Sequence, residues 1–181
     1  EEFYEFYKKN LVYPEAKPND CHKALAELEQ MGKLNAIVTQ NIDGLHQAAG
    51  SKVVYELHGS VLRNYCLRCH ASYHVDYILE ADGVPKCRIC GGTVKPDVVL
   101  YEEGLDDQII SGAIQAIAKA DTLIIGGTSL VVYPAAGLID YFTGENLILI
   151  NKSSTSADQK ADLVINDDIA EVMREVVCLI K

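Results

Sequence analysis

Basic residues are scarce in this chain: 16 Lys and Arg stand against 26 Asp and Glu, a formal net charge of −10 over 181 residues. A nucleic-acid binder usually carries a basic face, so this balance argues against that class of partner. It is compatible with basic, lysine-rich protein partners, although an acidic surface is more often simply a soluble one. Internal repeats and low-complexity tracts are lacking, and 49% of the residues are hydrophobic; the composition is that of a folded domain, not a disordered tail. The opening Glu1-Glu2-Phe3-Tyr4 has neither the positive charge nor the apolar core of a secretion signal, and a cytoplasmic location is expected. Thr122 to Ile139 contains no charged residue, but Gly126-Gly127, Thr128-Ser129 and Tyr133-Pro134 interrupt it. It therefore reads as a buried strand, a glycine loop and the start of a helix, not as a membrane span. No Gly-x-Gly-x-x-Gly occurs.

Helical spacing is present in several stretches. Glu1 to Asn10 carries Phe3, Phe6 and Tyr7 on one face. Asn19-Asp20 offers an N-cap for a helix with Cys21, Ala24, Leu25 and Leu28 inward, which Gly32 ends. Ile110, Ala113, Ile114 and Ile117 mark another helix, and Ile169 to Ile180 a closing one capped by Asp167 or Asp168. Pro134 sits where the first turn of a helix accepts proline. Short apolar runs, at Leu34 to Val38, Val53 to Leu57, Leu123 to Ile125 and Leu147 to Ile150, alternate with these helices. That alternation predicts an α/β fold with a parallel sheet covered by helices on both faces. Ligands in such sheets bind at the carboxyl ends of the strands, which directs attention to the loops at 39–44, 126–130 and 151–154. Residues 61–97 show no long periodic element except Val75 to Leu79 and read as a small inserted module.

Within that module stand Cys66-x-x-Cys69 and Cys87-x-x-Cys90, 17 residues apart. Each pair forms a tight knuckle that turns two thiolates toward one ion, and two knuckles complete a tetrahedron with no open position. One structural Zn2+ is expected. A redox dithiol would not need a second copy. Gly91-Gly92 supplies permissive backbone after the second knuckle. His70 and His74 read as surface residues, and Cys21 and Cys178 as small buried hydrophobes.

Thr39-Gln40-Asn41-Ile42-Asp43-Gly44-Leu45-His46 follows the first strand, and Glu56-Leu57-His58-Gly59 the second. Taken alone, these Asn and Asp residues can simply make a turn, and a lone histidine after a strand is more often structural than catalytic. The series changes the reading. These two motifs, then the two cysteine pairs, Lys95-Pro96-Asp97-Val98-Val99, Gly127-Thr128-Ser129-Leu130 and Ile150-Asn151 resemble the sirtuin family in content and order, the bacterial members most.

The resemblance implies a Rossmann-like NAD-binding domain (residues 1–60 and 98–181) and a small zinc-ribbon domain (residues 61–97). It implies NAD+ as a consumed co-substrate and an acylated-lysine protein or peptide as partner, without nucleic acid or membrane. The implied reaction is NAD-dependent removal of an acyl group, chiefly acetyl, from lysine, giving nicotinamide, free lysine and O-acyl-ADP-ribose. His58 matches the general base. Gln40, Asn41, Ile42 and Asp43 match the nicotinamide and ribose pocket, with Asn41 and Asp43 also counted as catalytic. Gly127, Thr128 and Ser129 match the cofactor loop, Asn151, Lys152 and Ser153 the adenosine-ribose edge, and Asp168 and Ile169 the adenine edge. Val98, Val99, Leu100 and Tyr101 match the segment that pairs with substrate backbone by strand addition, with Val99 and Val132 walling the acyl-lysine tunnel. Two alternatives are protein mono-ADP-ribosyl transfer and a non-catalytic zinc-stabilised binding module.

The chain departs from the family in two places. The family's Gly-Ala-Gly loop, Pro-Asp-Phe-Arg motif and first strand are absent from the 181 residues, and the expectation is that the natural protein extends before Glu1. Glu102 stands where many members have glycine.

Overall fold

The computed structural model describes all 181 residues as two compact units. The first unit comprises residues 1–16, 40–44 and 58–105. Its helix α1 (Glu2–Asn10) buries Tyr4 and Tyr7, while Phe6 is exposed, so the expected Phe3–Phe6–Tyr7 face is corrected to one centred on Tyr4 and Tyr7. The Tyr4 hydroxyl donates to the Val94 carbonyl at 2.7 Å. Tyr7 and Val12 join Val61, Ile78 and Val94 in one apolar cluster that also holds Cys66 and Cys87.

This unit contains an antiparallel sheet of order β4–β3–β5, formed by β3 (Gly59–Cys66), β4 (Ser72–His74) and β5 (Val94–Val98). Helix α4 (Val75–Glu80) follows β4, covers the expected Val75–Leu79 run and buries Val75 and Ile78. The eight-residue β3 runs through the stretch that lacked visible periodicity. A register shift against β5 between Ser60 and Asn64 explains why: a bulge breaks the two-residue alternation on which such a reading depends.

The second unit comprises residues 17–39, 45–57 and 106–181. Here β1 (Ile37–Thr39) pairs in parallel with β2 (Val54–Glu56). Separately, β6 (Thr122–Gly126), β7 (Asn146–Ile150) and β8 (Leu163–Ile165) form a parallel sheet in that order. The single parallel sheet expected is thus two parallel ladders, and with the antiparallel sheet the chain is mixed.

Alternation along β7 serves both faces of its sheet. Ile150 packs with Cys21, Ala24 and Leu28 of α2 (Asp20–Gln30) and with Met173 and Val177 of α6 (Ile169–Ile180). Leu147 and Leu149 pack with Ile125, Leu130 and Ala157. Within these 181 residues β6 stands at the end of its ladder and buries only Ile125 of the apolar run that was expected to be buried.

The helix after Pro134 is a 3-10 helix at Ala135–Tyr141 with Pro134 as its N-cap. The other helices are α3 (Leu45–Ala49) and α5 (Asp107–Lys119), the latter capped by Asp106. Cys21 is buried as expected, but Cys178 is exposed: its position on α6 falls off the face that carries Met173 and Val177. No helix is long and apolar enough to cross a membrane.

Candidate functional site

In the first unit, His58 is held from two sides. Its Nδ1 lies 2.9 Å from the Gln40 carbonyl oxygen. A carbonyl can only accept, so Nδ1 carries the proton and Nε2 keeps its lone pair. The His58 carbonyl accepts from the Val99 amide at 3.1 Å.

Gly59 follows with φ +76, and a Cβ there would stand 2.0 Å from the Asp97 carbonyl oxygen. Only glycine permits this approach, and the approach fixes where the chain enters β3 directly after His58. The neighbouring loop is equally constrained. The Ile42 carbonyl accepts from Val61 N–H at 2.9 Å, and Asn41 Nδ2 donates to Asp43 Oδ2 at 3.4 Å. Gly44, at φ +71, leaves 2.6 Å between a notional Cβ and Leu62 Cδ1. Gln40, Asn41, Ile42, Asp43 and His58 therefore form one constellation of amides, a carboxylate and a histidine with a basic nitrogen.

The segment Val98 to Tyr101 continues from β5. Leu100 to Glu103 closes as a turn through Glu103 N–H to Leu100 C=O, 3.0 Å. Glu102 in its third position has φ 71, the mark of a type II turn, which favours glycine there. Tyr101 is fully exposed.

The four cysteine sulfurs all lie within 4.8 Å of one another, with Cys66–Cys90 and Cys69–Cys87 at 3.5 Å. A tetrahedral zinc with bonds of about 2.3 Å needs sulfurs about 3.8 Å apart, so the cradle fits such an ion. The two knuckles repeat one geometry. Arg68 N–H points at Cys66 Sγ (3.3 Å) and Ile89 N–H at Cys87 Sγ (3.4 Å); His70 and Gly91, each next after a knuckle's second cysteine, have φ 57 and 71. Gly92 is equally required, because a Cβ there would meet Cys66 Sγ at 2.9 Å. His70 and His74 are exposed and stand outside the cluster.

The Tyr73 hydroxyl donates to Cys87 Sγ at 3.1 Å and accepts from Arg88 N–H at 2.8 Å. This phenol is the leading cause that pushes the Cys87 thiol down to about 6, against its burial. Burial raises Cys66, but the Cys69 and Arg68 N–H groups outweigh it and leave its thiol below the usual range. For Cys69, the Ala71 N–H favours the thiolate, yet hydrogen bonding to the Cys90 and Cys87 sulfurs prevails and pushes it up to about 12. Sulfurs so close cannot all ionise without a cation, and a divalent ion removes that conflict.

In the second unit, three loops meet at the carboxyl ends of β6, β7 and β8. Gly127 N–H donates to the Ile150 carbonyl (3.2 Å) and Asn151 N–H to the Ile165 carbonyl (3.0 Å). Leu130 N–H donates to Thr128 Oγ1 (3.1 Å) and Asn151 Nδ2 to the Ser153 carbonyl (2.8 Å). Lys152 Nζ reaches Asp168 Oδ2 at 2.7 Å, and Asp168 also caps α6 through Ala170 N–H. The ammonium beside it, then that N–H, hold the Asp168 carboxyl below its ordinary value.

Gly127 has φ +61, but the tightest position is Gly126, where a Cβ would stand 2.1 Å from Ile169 Cδ1. Gly127, Thr128, Ser129, Asn151, Lys152, Ser153, Asp168 and Ile169 thus gather at one end of the sheet, with Ser129, Lys152 and Ser153 exposed. Val132 is half exposed beyond the glycine loop. Val98 is buried within β5, and Val99 and Leu100 are partly buried.

Residues 1–134 match the Sir2 family. The chain belongs to the Sir2 family. It is 73% identical over 178 residues to an NAD-dependent protein deacetylase of Clostridium perfringens (strain 13 / Type A), an alignment covering 98% of this chain and 73% of that protein. Identity to the corresponding Clostridium acetobutylicum protein is 62%, with the same coverage. Among solved structures, a Sir2–p53 peptide–NAD+ complex matches with a TM-score of 0.90 and 43% identity over 98% of this chain and 77% of that one. A Sir2 bound to acetylated peptide matches at 0.91 and 42%, again over 98% and 77%. The mixed sheets flanked by helices, with a four-cysteine cluster able to hold a metal, are those of the Sir2 family.

The motifs that carried the sirtuin resemblance stand at the His58 constellation, the cysteine cluster and the strand ends. Sequence reasoning missed Gly59, Gly126, Tyr73 and the ion pair of Lys95 Nζ with Glu103 Oε2 at 3.0 Å beside the Val98 to Tyr101 segment. Gly59 had a signal, since a glycine directly after a candidate base at a strand entry asks for a backbone reason. The others depend on contacts across the fold that linear spacing does not carry.

Proposed function

We propose that this protein is an NAD-dependent protein-lysine deacylase acting on acetyl-lysine, and that NAD+ is consumed as co-substrate. The observation that carries the reading is the His58 imidazole. Its Nδ1 proton is engaged by the Gln40 carbonyl, which leaves Nε2 as the nitrogen able to accept a proton. In this reading the acyl oxygen of the substrate attacks the ribose carbon bearing nicotinamide, and nicotinamide leaves. His58 takes a proton through the ribose hydroxyls. The activated hydroxyl attacks the amidate carbon, and water completes the release of lysine and O-acyl-ADP-ribose. Gln40, Asn41, Ile42 and Asp43 hold the carboxamide and ribose in a reactive pose. The three loops at the β6–β8 ends of the second unit bind dinucleotide, and Val98 to Tyr101 of the first receive the acyl-lysine peptide.

The metal is one structural Zn2+ held by Cys66, Cys69, Cys87 and Cys90, a four-thiolate set with no open position for chemistry. Residues 61–97 are the zinc-ribbon domain in this reading, and 1–60 with 98–181 the Rossmann-like NAD-binding domain; the protein acts in the cytoplasm. The test is His58→Ala in the full-length protein. Steady-state formation of free-lysine peptide from NAD and an acetyl-lysine peptide is expected to fall by roughly 10²–10⁴-fold, with zinc content and melting temperature unchanged. An unaltered rate removes His58 from its role.

A further inference from the structure

We propose that Lys95 and Glu103 form a positioning pair that shapes the main chain of the Val98–Tyr101 segment for the acyl-lysine peptide; this rests on the peptide-binding role given to that segment above.

The sheet fixes only the first residue of this segment. The last ladder pair of β5 is Gly59 with Val98, and beyond it the chain leaves the strand. Val98 C=O accepts from Lys95 Nζ at 3.1 Å. The same ammonium meets Glu103 Oε2 at 3.0 Å, and that oxygen also accepts from Leu100 N–H at 2.9 Å. Glu103 N–H returns to Leu100 C=O at 3.0 Å, while Val99 N–H is bound to the His58 carbonyl. One ion pair thus links the start of the segment at Val98 to Leu100. The Val99 carbonyl and the Tyr101 amide have no hydrogen-bond partner within the chain, so they are left for an added strand.

A stabilising surface ion pair would not look like this. The Lys95 side chain is only 17% exposed, against 41% for Glu103, and both charged groups bond the main chain of the segment itself. Charge-assisted bonds of this kind are short and directional. A peptide added to an already ordered strand does not have to order it on binding. Loss of the pair is therefore expected to weaken peptide binding while leaving chemistry on bound substrate little changed.

The experiment uses the full-length protein with Lys95→Met, Glu103→Gln and Lys95→Arg. Steady-state KM for an acetyl-lysine peptide and for NAD, kcat, melting temperature and affinity for a fluorescent acetyl-lysine peptide are measured on each. Lys95→Met and Glu103→Gln are expected to raise peptide KM and weaken peptide binding by about tenfold, with NAD KM and kcat within about twofold. Lys95→Arg, which keeps charge and donors, is expected to return peptide KM to within about threefold of the wild type. Peptide KM unchanged in both neutral variants overturns the inference. So does a rise in peptide and NAD KM together with a fall in melting temperature, which marks a purely structural pair. Glu103→Gln keeps the side-chain shape and serves should Lys95→Met fail to fold. Wild-type protein that neither deacetylates nor binds the peptide instead overturns the functional reading on which the inference rests.

Discussion

Gly59 and Glu102 show opposite relations between a residue and its backbone. Gly59 occupies φ +76 with the Asp97 carbonyl where a Cβ would go. Gly59→Ala is expected to cost more than about 2 kcal/mol, read as a lower midpoint in denaturant melts, and to displace His58. Glu102 sits at φ 71 without being glycine. A side chain there costs roughly 1–2 kcal/mol, part of which glycine returns through its freedom in the unfolded chain. Glu102→Gly is therefore expected to raise stability by roughly 0.5–1 kcal/mol in the same melts; a loss of stability would show that Glu102 makes a compensating contact. The sequence marked Glu102 as unusual only against the sirtuin pattern. The positive φ that explains why glycine suits the position is a property of the 100–103 turn, which no neighbouring residue announces.

At the scale of elements, the cysteine knuckles were legible because their chemistry is local: two residues between ligands is the reach of one turn. Strand β3 was not legible, since its bulge disrupts the alternation that identifies a strand. The contacts that β3 and β4 organise, Tyr73 against Cys87 above all, were hidden with it. The Tyr73 phenol stabilises the Cys87 thiolate, so removing it raises the pKa of that sulfur. A thiol held down to about 6 in the folded chain contributes stability that is full above its ordinary value and is lost as pH falls through about 6. Protons then compete with the metal. Zinc release to a colorimetric chelator is expected to accelerate as pH falls. Tyr73→Phe should release zinc about tenfold faster at pH 7 and shift the acceleration to higher pH. Identical release profiles for the two proteins would exclude the phenol as a support of the metal.

Across the whole molecule, the parallel α/β character and most helices followed from apolar runs and caps. Asn19, Asp106 and Asp168 each cap a helix through their side chains. Two features were not legible. The parallel strands divide into a two-stranded and a three-stranded ladder, and strand order depends on long-range pairing that periodicity does not encode. The compact units also draw on discontinuous segments, so that residues 40–44 and 58–105 share a unit with the first helix. The His58 constellation exists because of this interleaving: Gln40 and His58 are 18 residues apart, yet their contact is 2.9 Å.

Mass spectrometry of the products tests the central claim most directly. The full-length protein, zinc-loaded, is incubated with NAD+ and an acetyl-lysine peptide, and nicotinamide, free-lysine peptide and O-acetyl-ADP-ribose are quantified. The account predicts all three in equal amounts; for His58→Ala it predicts no free-lysine peptide or O-acetyl-ADP-ribose above background and at most one nicotinamide per enzyme. ADP-ribose attached to protein without O-acetyl-ADP-ribose, or undiminished formation of free-lysine peptide and O-acetyl-ADP-ribose by His58→Ala, would contradict it.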